Sequence, residues 1–313
     1  MQERPPVPPG LVLAVAVASV SFAAVLFRLA EAAALTASFW RLAFAVLLLL
    51  PFARHSWRLW RGYDVRTWQL TTAAGVALGA HFALWVSSLF LTTVAASVAL
   101  VTLQAVFVAI GGHLLLGDKL TSRGWLGVLA AFAGAVTIAA ADGSLAPDSR
   151  RALLGDALAL AGGLGSAAYM LIGRVARRDL DTVTYVVPVY GIAALTVLAV
   201  LPIVGQPVTA GVGGAGFVFF VLLAAVPMLG GHTLANWCLK YLPAHTIATW
   251  ILLEPVGAAL LAWPILGEVP HPVTAVGAAM VIAGAWQTMG RAGTVEAAPE
   301  VPALHGTDDA REG

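Results

Sequence analysis

The chain has 313 residues, of which 60% are hydrophobic and only 11% are charged, and its mean hydropathy is +0.88. A soluble domain carries about 25% charged residues, so this composition indicates an integral membrane protein. A net charge of +1 without a basic stripe argues against a nucleic-acid partner. The single cysteine, Cys238, excludes a disulfide framework.

Ten stretches of about 20 mostly apolar residues are each long enough to form a membrane-spanning helix. The short breaks between them are polar or carry Gly and Pro, which favour turns. In chain order the predicted spans are 11–30, 34–53, 68–90, 94–116, 122–141, 153–173, 183–203, 215–238, 243–265 and 272–290.

Polar segments flank and separate these spans. Residues 1–10 form a Pro-rich tail, and residues 291–313 form a tail rich in Ala, Pro and acidic residues; we expect both to be disordered. Residues 142–152 form a linker on the outer side. The first span leads directly into the second, so we interpret it as an uncleaved helix rather than a signal peptide.

The lysines and arginines of the short loops predict the orientation, because cytoplasmic loops carry the excess of these residues. If the N-terminus is cytoplasmic, the lysines and arginines on the outer side are only Arg28, Arg150 and Arg151, and Arg41 lies within a span. Both termini are therefore predicted to be cytoplasmic, in the cell membrane. The thirteen residues on the inner side are Arg4, Arg54, Arg58, Arg61, Arg66, Lys119, Arg123, Arg174, Arg177, Arg178, Lys240, Arg291 and Arg311.

The two halves of the chain repeat each other at an offset of 150 residues. The segment 103–106 (LQAV) aligns with 253–256 (LEPV), and 133–135 (AGA) aligns with 283–285 (AGA). At an offset of 151, 79–81 (GAH) aligns with 230–232 (GGH). Paired halves of this kind are typical of secondary transporters.

The loop charges also predict that the repeat is inverted. Each half has five spans, an odd number, so the second half enters the membrane from the opposite side. The loop at 54–67 has four arginines, whereas its counterpart at 204–214 has no charge. We therefore predict an all-α membrane protein with ten helices in two inverted five-helix repeats, residues 11–141 and 153–290.

Short motifs give the chain a resemblance to a known family. Residues 33–41 (AALTASFWR) resemble the start of the second helix in EamA-type members of the drug/metabolite transporter superfamily. Residues 253–256 (LEPV) and 266–268 (LGE) are similar to the ninth helix of that family and its end. The resemblance implies ten helices around a central cavity, and export of amino acids or related metabolites. The first half departs from this pattern, since Gln104–Ala105 stands where the second half has Glu254–Pro255. The first half therefore lacks the proline that favours an irregular helix.

Two ionisable residues at membrane depth, Glu254 and Arg41, are candidate site residues, because an ionisable group there costs about 2.5–3.5 kcal/mol on insertion scales. Glu254 is a candidate proton-binding or ammonium-binding carboxylate, or else a structural partner of Arg41 or a histidine. Its repeat mate Gln104 can hydrogen-bond but cannot titrate. Arg41 could hold a substrate carboxylate, or it could pair with Glu31 or Glu254, or extend to the interface, and the structural reading is favoured.

Two histidines recur at equivalent positions of the repeat. His81 with Trp85, and His232 with Asn236, each form a polar face at i, i+4 spacing, as a cavity wall would. Either histidine could instead satisfy a neighbouring helix. The remaining candidates, for which packing is the stronger explanation, are the aromatic residues Tyr169, Tyr190 and Trp250.

These residues favour a secondary transporter that exports a small metabolite by alternating access. Proton coupling is an option, and no metal or cofactor is expected. Its expected partners are that small molecule and the lipid bilayer. An intramembrane enzyme is the rival, but the seven histidines form no ligand motif and no Gly-x-Ser-x-Gly turn occurs. No Walker-type phosphate loop is present. A channel-like permease is the other alternative.

Overall fold

Every regular element that the computed structural model describes is helical, which confirms the all-α class. The described residues are 5–88, 91, 97, 100–141, 150–209, 212–214, 216–267, 269 and 272–289. Residues 1–4 of the first predicted tail, the whole second tail at 291–313 and residues 142–149 of the predicted linker lie outside the described residues.

Within its described residues, the first half has six helices with given bounds and one 3-10 turn. They are α1 (Pro9–Ala30), α2 (Ala34–Leu49) with a 3-10 turn at Leu50–Arg54, α3 (Ser56–Arg61), α4 (Val65–Ser88), α5 (Gln104–Leu115) and α6 (Ser122–Ala141). The second half has α7 (Arg150–Ala176), α8 (Thr182–Val200), α9 (Gly216–Leu223), a π-helical segment (Ala224–Thr233), α10 (Leu234–Cys238), α11 (Ala244–Ile251), α12 (Glu254–Leu266) and α13 (Pro272–Met289).

Seven helical stretches are long and apolar enough to cross a membrane among the described residues. Gln104–Leu115 and Ser122–Ile138 are apolar but shorter. In the predicted fourth span, 94–116, the described residues 97, 100 and 101 are helical, Thr102 and Leu103 form a turn, and the helix resumes at Gln104; residues 94–96, 98 and 99 lie outside the described part. The seven stretches are Pro9–Ala30, Leu35–Arg54, Val65–Ser88, Arg150–Ala176, Thr182–Val200, Gly216–Cys238 and Ala244–Leu266.

Both halves interrupt a helix at the same position of the repeat. α11 ends at Ile251 and α12 begins at Glu254, and in the first half the turn at Thr102–Leu103 precedes α5. The amide of Leu253 donates to the carbonyl of Trp250 at 3.0 Å, and that of Leu103 donates to Leu100 at 3.2 Å. The first half therefore has the irregularity without a proline.

The contacts between helices also follow the repeat. α1 packs against the π-helical segment and α12, as α7 packs against α4 and α5. α2 contacts α8 and α6 contacts α13, each pair joining equivalent elements of the two halves, and α5 contacts α11, which precedes the equivalent break in the second half. The two halves thus interlock rather than lying side by side.

Glycines allow the closest of these contacts, as expected for small residues in spans. A Cβ on Gly127 would lie 2.8 Å from the carbonyl oxygen of Gly284, and one on Gly134 would lie 2.6 Å from that of Gly277. Since Gly127 meets the later glycine and Gly134 the earlier one, α6 and α13 run antiparallel. Gly75 and Gly79 also allow a close contact with α8, but Gly75 meets Val189 and Gly79 meets Ala193, so these two helices run parallel.

Polar contacts at one end of the bundle join α3 and the α3–α4 loop to α8. The Trp60 Nε1 and the Tyr63 hydroxyl both donate to the carbonyl of Thr184, at 2.9 and 3.0 Å. Asp64 accepts from the Thr67 amide at 2.8 Å, and its hydrogen bonds with Thr67 lower the Asp64 pKa. Burial raises the pKa of the Tyr63 hydroxyl.

Candidate functional site

A cavity of about 570 Å³ lies at the centre of the bundle. It reaches the end of the bundle at which α1 and α12 end, because Phe27, Arg28 and Leu266 line it. Toward the opposite end its wall includes Leu239 and Ile247. This volume is typical of sites that hold a small organic molecule.

The structure brings eight of the ten candidate residues to this cavity. Tyr190 and Trp250 are not among its described lining residues. Tyr190 is buried and its hydroxyl lies 3.0 Å from Thr233 Oγ1, so it joins α8 to the π-helical segment. The eight lining residues are Arg41, His81, Trp85, Gln104, Tyr169, His232, Asn236 and Glu254.

Arg41 is the most deeply buried charge of the cavity, with 2% of its surface exposed. Its guanidinium carbon lies 4.7 Å from the centre of the Phe82 ring, a cation–π distance. Neither Glu31 nor Glu254, both described, forms an ion pair with it within 4.0 Å. Burial excludes the expected alternative that Arg41 extends to the interface, and the pairing alternatives are not realised here.

The two histidines occupy the cavity wall with aromatic neighbours. His81 stacks on Trp85, with ring centroids 5.8 Å apart and planes inclined by 9°. Its Nδ1 lies 2.9 Å from the carbonyl oxygen of Gly162 on α7. His232 lies in the π-helical segment, and its ring is 5.8 Å from that of Phe82. Phe82 thus lies between the two histidines, and the Arg41 guanidinium lies over its ring.

Asn236 anchors a short polar chain in the cavity wall. Its Nδ2 donates to the Tyr169 hydroxyl and to the carbonyl of His232, the latter at 2.7 Å. Its Oδ1 is buried and has no hydrogen-bond donor among the described residues. An acceptor is therefore available in the wall.

The two helix breaks place Gln104 and Glu254 at equivalent positions, each at the first residue of its helix. The Gln104 Oε1 is buried without a donor among the described residues. Glu254 and Arg41 attract each other electrostatically although they form no direct pair. A carboxylate at a helix N-terminus is also stabilised by the helix dipole.

Sequence reasoning missed four polar residues of the cavity: Arg28, Thr102, Ser166 and Thr274. Arg28 carries a usable signal, since it is the one charged residue in span 11–30, although positive-inside counting treats it only as a charge on the outer side. The three hydroxyl residues had none, because Ser and Thr occur throughout apolar helices.

A buried cluster of three charged residues, here named the arginine cluster (Arg174, Arg177 and Asp118), lies behind the Leu239 end of the cavity. Arg174 Nη1 donates to the carbonyl of Leu239 at 2.6 Å, and its Nε lies 3.7 Å from Asp118. Arg177 Nε donates to the carbonyl of Asn236 at 3.0 Å. These bonds tie the end of α7 to the end of α10.

Arg177 also binds its own loop, through the carbonyl of Leu180 and Thr182 Oγ1. Only 1% of its surface is exposed, and this burial lowers its pKa. A guanidinium remains charged even so, and its position at the end of α10 matches the negative end of the helix dipole. None of the three cluster residues lines the cavity.

The cavity wall combines polar and apolar side chains. No group of three or more His, Cys, Asp or Glu side chains able to hold a metal occurs in the described ranges. The wall offers two guanidinium groups, two imidazoles, a carboxylate and amides among apolar side chains, which suits reversible binding of an amphipathic molecule.

Comparisons with known proteins agree with this architecture. The chain is 35% identical over 94 residues to an uncharacterized transporter in the cobO 3′ region of Sinorhizobium sp., which spans 30% of this chain and 67% of that one. A crystal structure of a protein with 19% sequence identity superposes with a TM-score of 0.74, covering 89% of this chain and 95% of the other. The model of the EamA-like transporter family matches twice, at residues 9–140 and 153–289. The chain therefore belongs to the EamA-like transporter family.

Proposed function

We propose that this membrane transporter exports a small amphipathic metabolite by alternating access between two inverted five-helix repeats, residues 11–141 and 153–290. The observation that carries the proposal is the central cavity, whose wall is supplied by equivalent elements of both halves. A site enclosed between two related halves can be exposed to either side when the halves rock against each other.

The α6–α13 pair supports the inversion. Gly127 and Gly277 are equivalent by the repeat, as are Gly134 and Gly284. The two helices nevertheless pack antiparallel, because Gly127 meets Gly284 and Gly134 meets Gly277. Equivalent helices that run in opposite directions are what an inverted repeat requires.

The two ends of the bundle differ as a carrier requires. Positive-inside counting places the end near Phe27 and Leu266 outside, and the arginine cluster inside. The cavity then extends toward the outer side, while buried hydrogen bonds join α7 to α10 on the inner side. Export would alternate this arrangement with one that is open to the cytoplasm.

Glu254 supplies the coupling group of this proposal. It is the one carboxylate among the described lining residues and attracts Arg41 electrostatically. Binding of a proton would remove its charge and so change the field that a substrate meets. In this proposal a proton enters the cell as the metabolite leaves, so the inward proton gradient drives export.

Counterflow in liposomes tests the carrier mechanism. Purified protein is reconstituted with a candidate metabolite inside, and uptake of trace labelled metabolite is followed. A carrier gives saturable transient accumulation of label, because one site alternates between the two faces. Linear, non-saturable flux would indicate a channel and contradict the proposal.

A further inference from the structure

Arg41 gives the closest indication of the ligand's chemistry, because it is a buried cation that no described carboxylate contacts. Its Nε has no acceptor in the described part of the chain, and no carboxylate lies within 4.0 Å of the group. The Phe82 and Phe27 rings, at 4.7 and 6.0 Å, are its nearest described charge-stabilising contacts. Ring faces stabilise a cation far less than a hydrogen-bonded oxyanion does.

From this geometry we infer that Arg41 is the binding subsite for the carboxylate of an amphipathic monocarboxylate. The inference rests on the proposed function, since it treats the cavity as the substrate site. A planar carboxylate matches the fork of a guanidinium and would satisfy the Nε that is otherwise left without an acceptor.

The rest of the cavity favours a monoanion with an apolar body. Val20, Phe82, Met170 and Ile251 line it, so a small inorganic anion would leave most of the apolar wall unfilled. Glu254 lies near enough to interact with Arg41, and a dianion would meet stronger repulsion from that carboxylate. The orphaned oxygens of Gln104 and Asn236 can accept hydrogen bonds from a donor elsewhere on the ligand.

Three probes with one apolar body and different heads test this subsite. The full-length protein, purified in detergent, is titrated with 3-phenylpropionate, 3-phenylpropanamide and 3-phenylpropylamine, and its Tm is followed. A ligand of the native state raises the Tm. We expect the carboxylate to raise it most, the neutral amide less and the amine least, because the amine is repelled by Arg41.

Substitutions then assign the effect to Arg41. Arg41→Gln should weaken binding of 3-phenylpropionate about 10- to 100-fold, the range of a charged hydrogen bond, and abolish its advantage over the amide. Arg41→Lys should keep the order of the three probes. Arg178→Gln, at an exposed arginine, should leave all three affinities unchanged.

The proposal is overturned if the amine binds as tightly as the carboxylate, if no probe raises the Tm, or if Arg41→Gln binds 3-phenylpropionate normally. Should Arg41→Gln not fold, an altered probe order in Arg41→Lys would overturn it instead. Counterflow of labelled 3-phenylpropionate separates the two proposals. Arg41-dependent binding without counterflow would refute transport alone, whereas counterflow of the amine regardless of Arg41 would refute the subsite alone.

Discussion

At the scale of single residues, the proposed proton coupling is tested at Glu254. Glu254→Gln keeps the size and the hydrogen bonds of the side chain but cannot release a proton. We expect this variant to retain counterflow and to lose its response to an imposed pH gradient, because exchange without net flux needs no driving force. Transport is measured in liposomes with and without the gradient.

Gln104→Glu is the matched variant, because Gln104 occupies the equivalent position on the cavity wall and cannot titrate. Paired with Glu254→Gln, it moves the carboxylate to the other half of the repeat. A Glu254→Gln variant that still accumulates metabolite against its gradient when protons flow would contradict the coupling role.

The candidates that the repeat pairs all line the cavity, and four of the six other candidates line it as well. His81, His232, Gln104 and Glu254 recur across the halves, and all four line the cavity. Trp250 was chosen only as an aromatic within a span, and residue type cannot say which face a helix presents. Arg174 and Arg177 were counted as loop charges, because positive-inside counting treats every basic residue near a span end alike.

At the scale of helices, the break before Glu254 does not depend on its proline. The first half has the same break with Ala105 in the equivalent position, so the surrounding packing holds it. Pro255→Ala is therefore expected to change the free energy of unfolding by less than about 1 kcal/mol and to leave counterflow intact. Thermal unfolding measures the change in stability, and the liposome assay measures counterflow.

Ala105→Pro is the reciprocal substitution. It removes the hydrogen bond from the Ala105 amide to the Thr102 carbonyl, 3.1 Å long, and should cost about 1 kcal/mol. If Pro255→Ala abolishes counterflow while the protein stays folded, the proline itself shapes the site. The sequence motif alone could not decide this, since it contains a proline on one side only.

The α6–α13 contact predicts a strong effect of one methyl group. A Cβ on Gly134 would meet the Gly277 carbonyl at 2.6 Å and the Val281 amide at 2.8 Å, both backbone atoms that cannot rotate away. Gly134→Ala should therefore destabilise the protein by about 1–3 kcal/mol, the range for overpacking. Thermal unfolding in detergent provides the measurement.

Gly191→Ala is the matched control, because it lies within α8 and a Cβ there would have no described neighbour within 4 Å. This variant should have an unchanged or slightly higher Tm, since alanine favours a helix over glycine. Equal losses of stability in both variants would mean that any glycine replacement is harmful and that the close contact is not the cause.

At the scale of the whole molecule, inversion predicts that equivalent loops lie on opposite sides of the membrane. Arg54 and Val204 are equivalent at the 150-residue offset, and both are exposed. In a Cys238→Ala background, Val204→Cys should react with an impermeant maleimide on intact cells. Arg54→Cys should react only after permeabilisation. Labelling of both from the same side would refute the inversion.

The arginine cluster predicts how the inner end opens. Arg177→Gln removes the guanidinium bonds to Asn236 and Leu180, each a charged hydrogen bond of about 1.5–3 kcal/mol. The open form should therefore become roughly ten times or more as populated. Cys238 reports this directly, because the lone cysteine is fully buried beside the Asn236 carbonyl that Arg177 binds.

We expect a maleimide to modify Cys238 several-fold faster in Arg177→Gln than in the unchanged protein, and no faster in Arg178→Gln. Local opening must be separated from unfolding, since both expose a buried thiol. Val281→Cys supplies that separation, because Val281 is fully buried in the α6–α13 pair, away from the arginine cluster. Faster labelling at Cys238 alone means that the α7–α10 contact opens while the bundle persists, which is the inner half of alternating access. Equal acceleration at both cysteines, or none at Cys238, would mean that Arg177 stabilises the fold without closing the cavity.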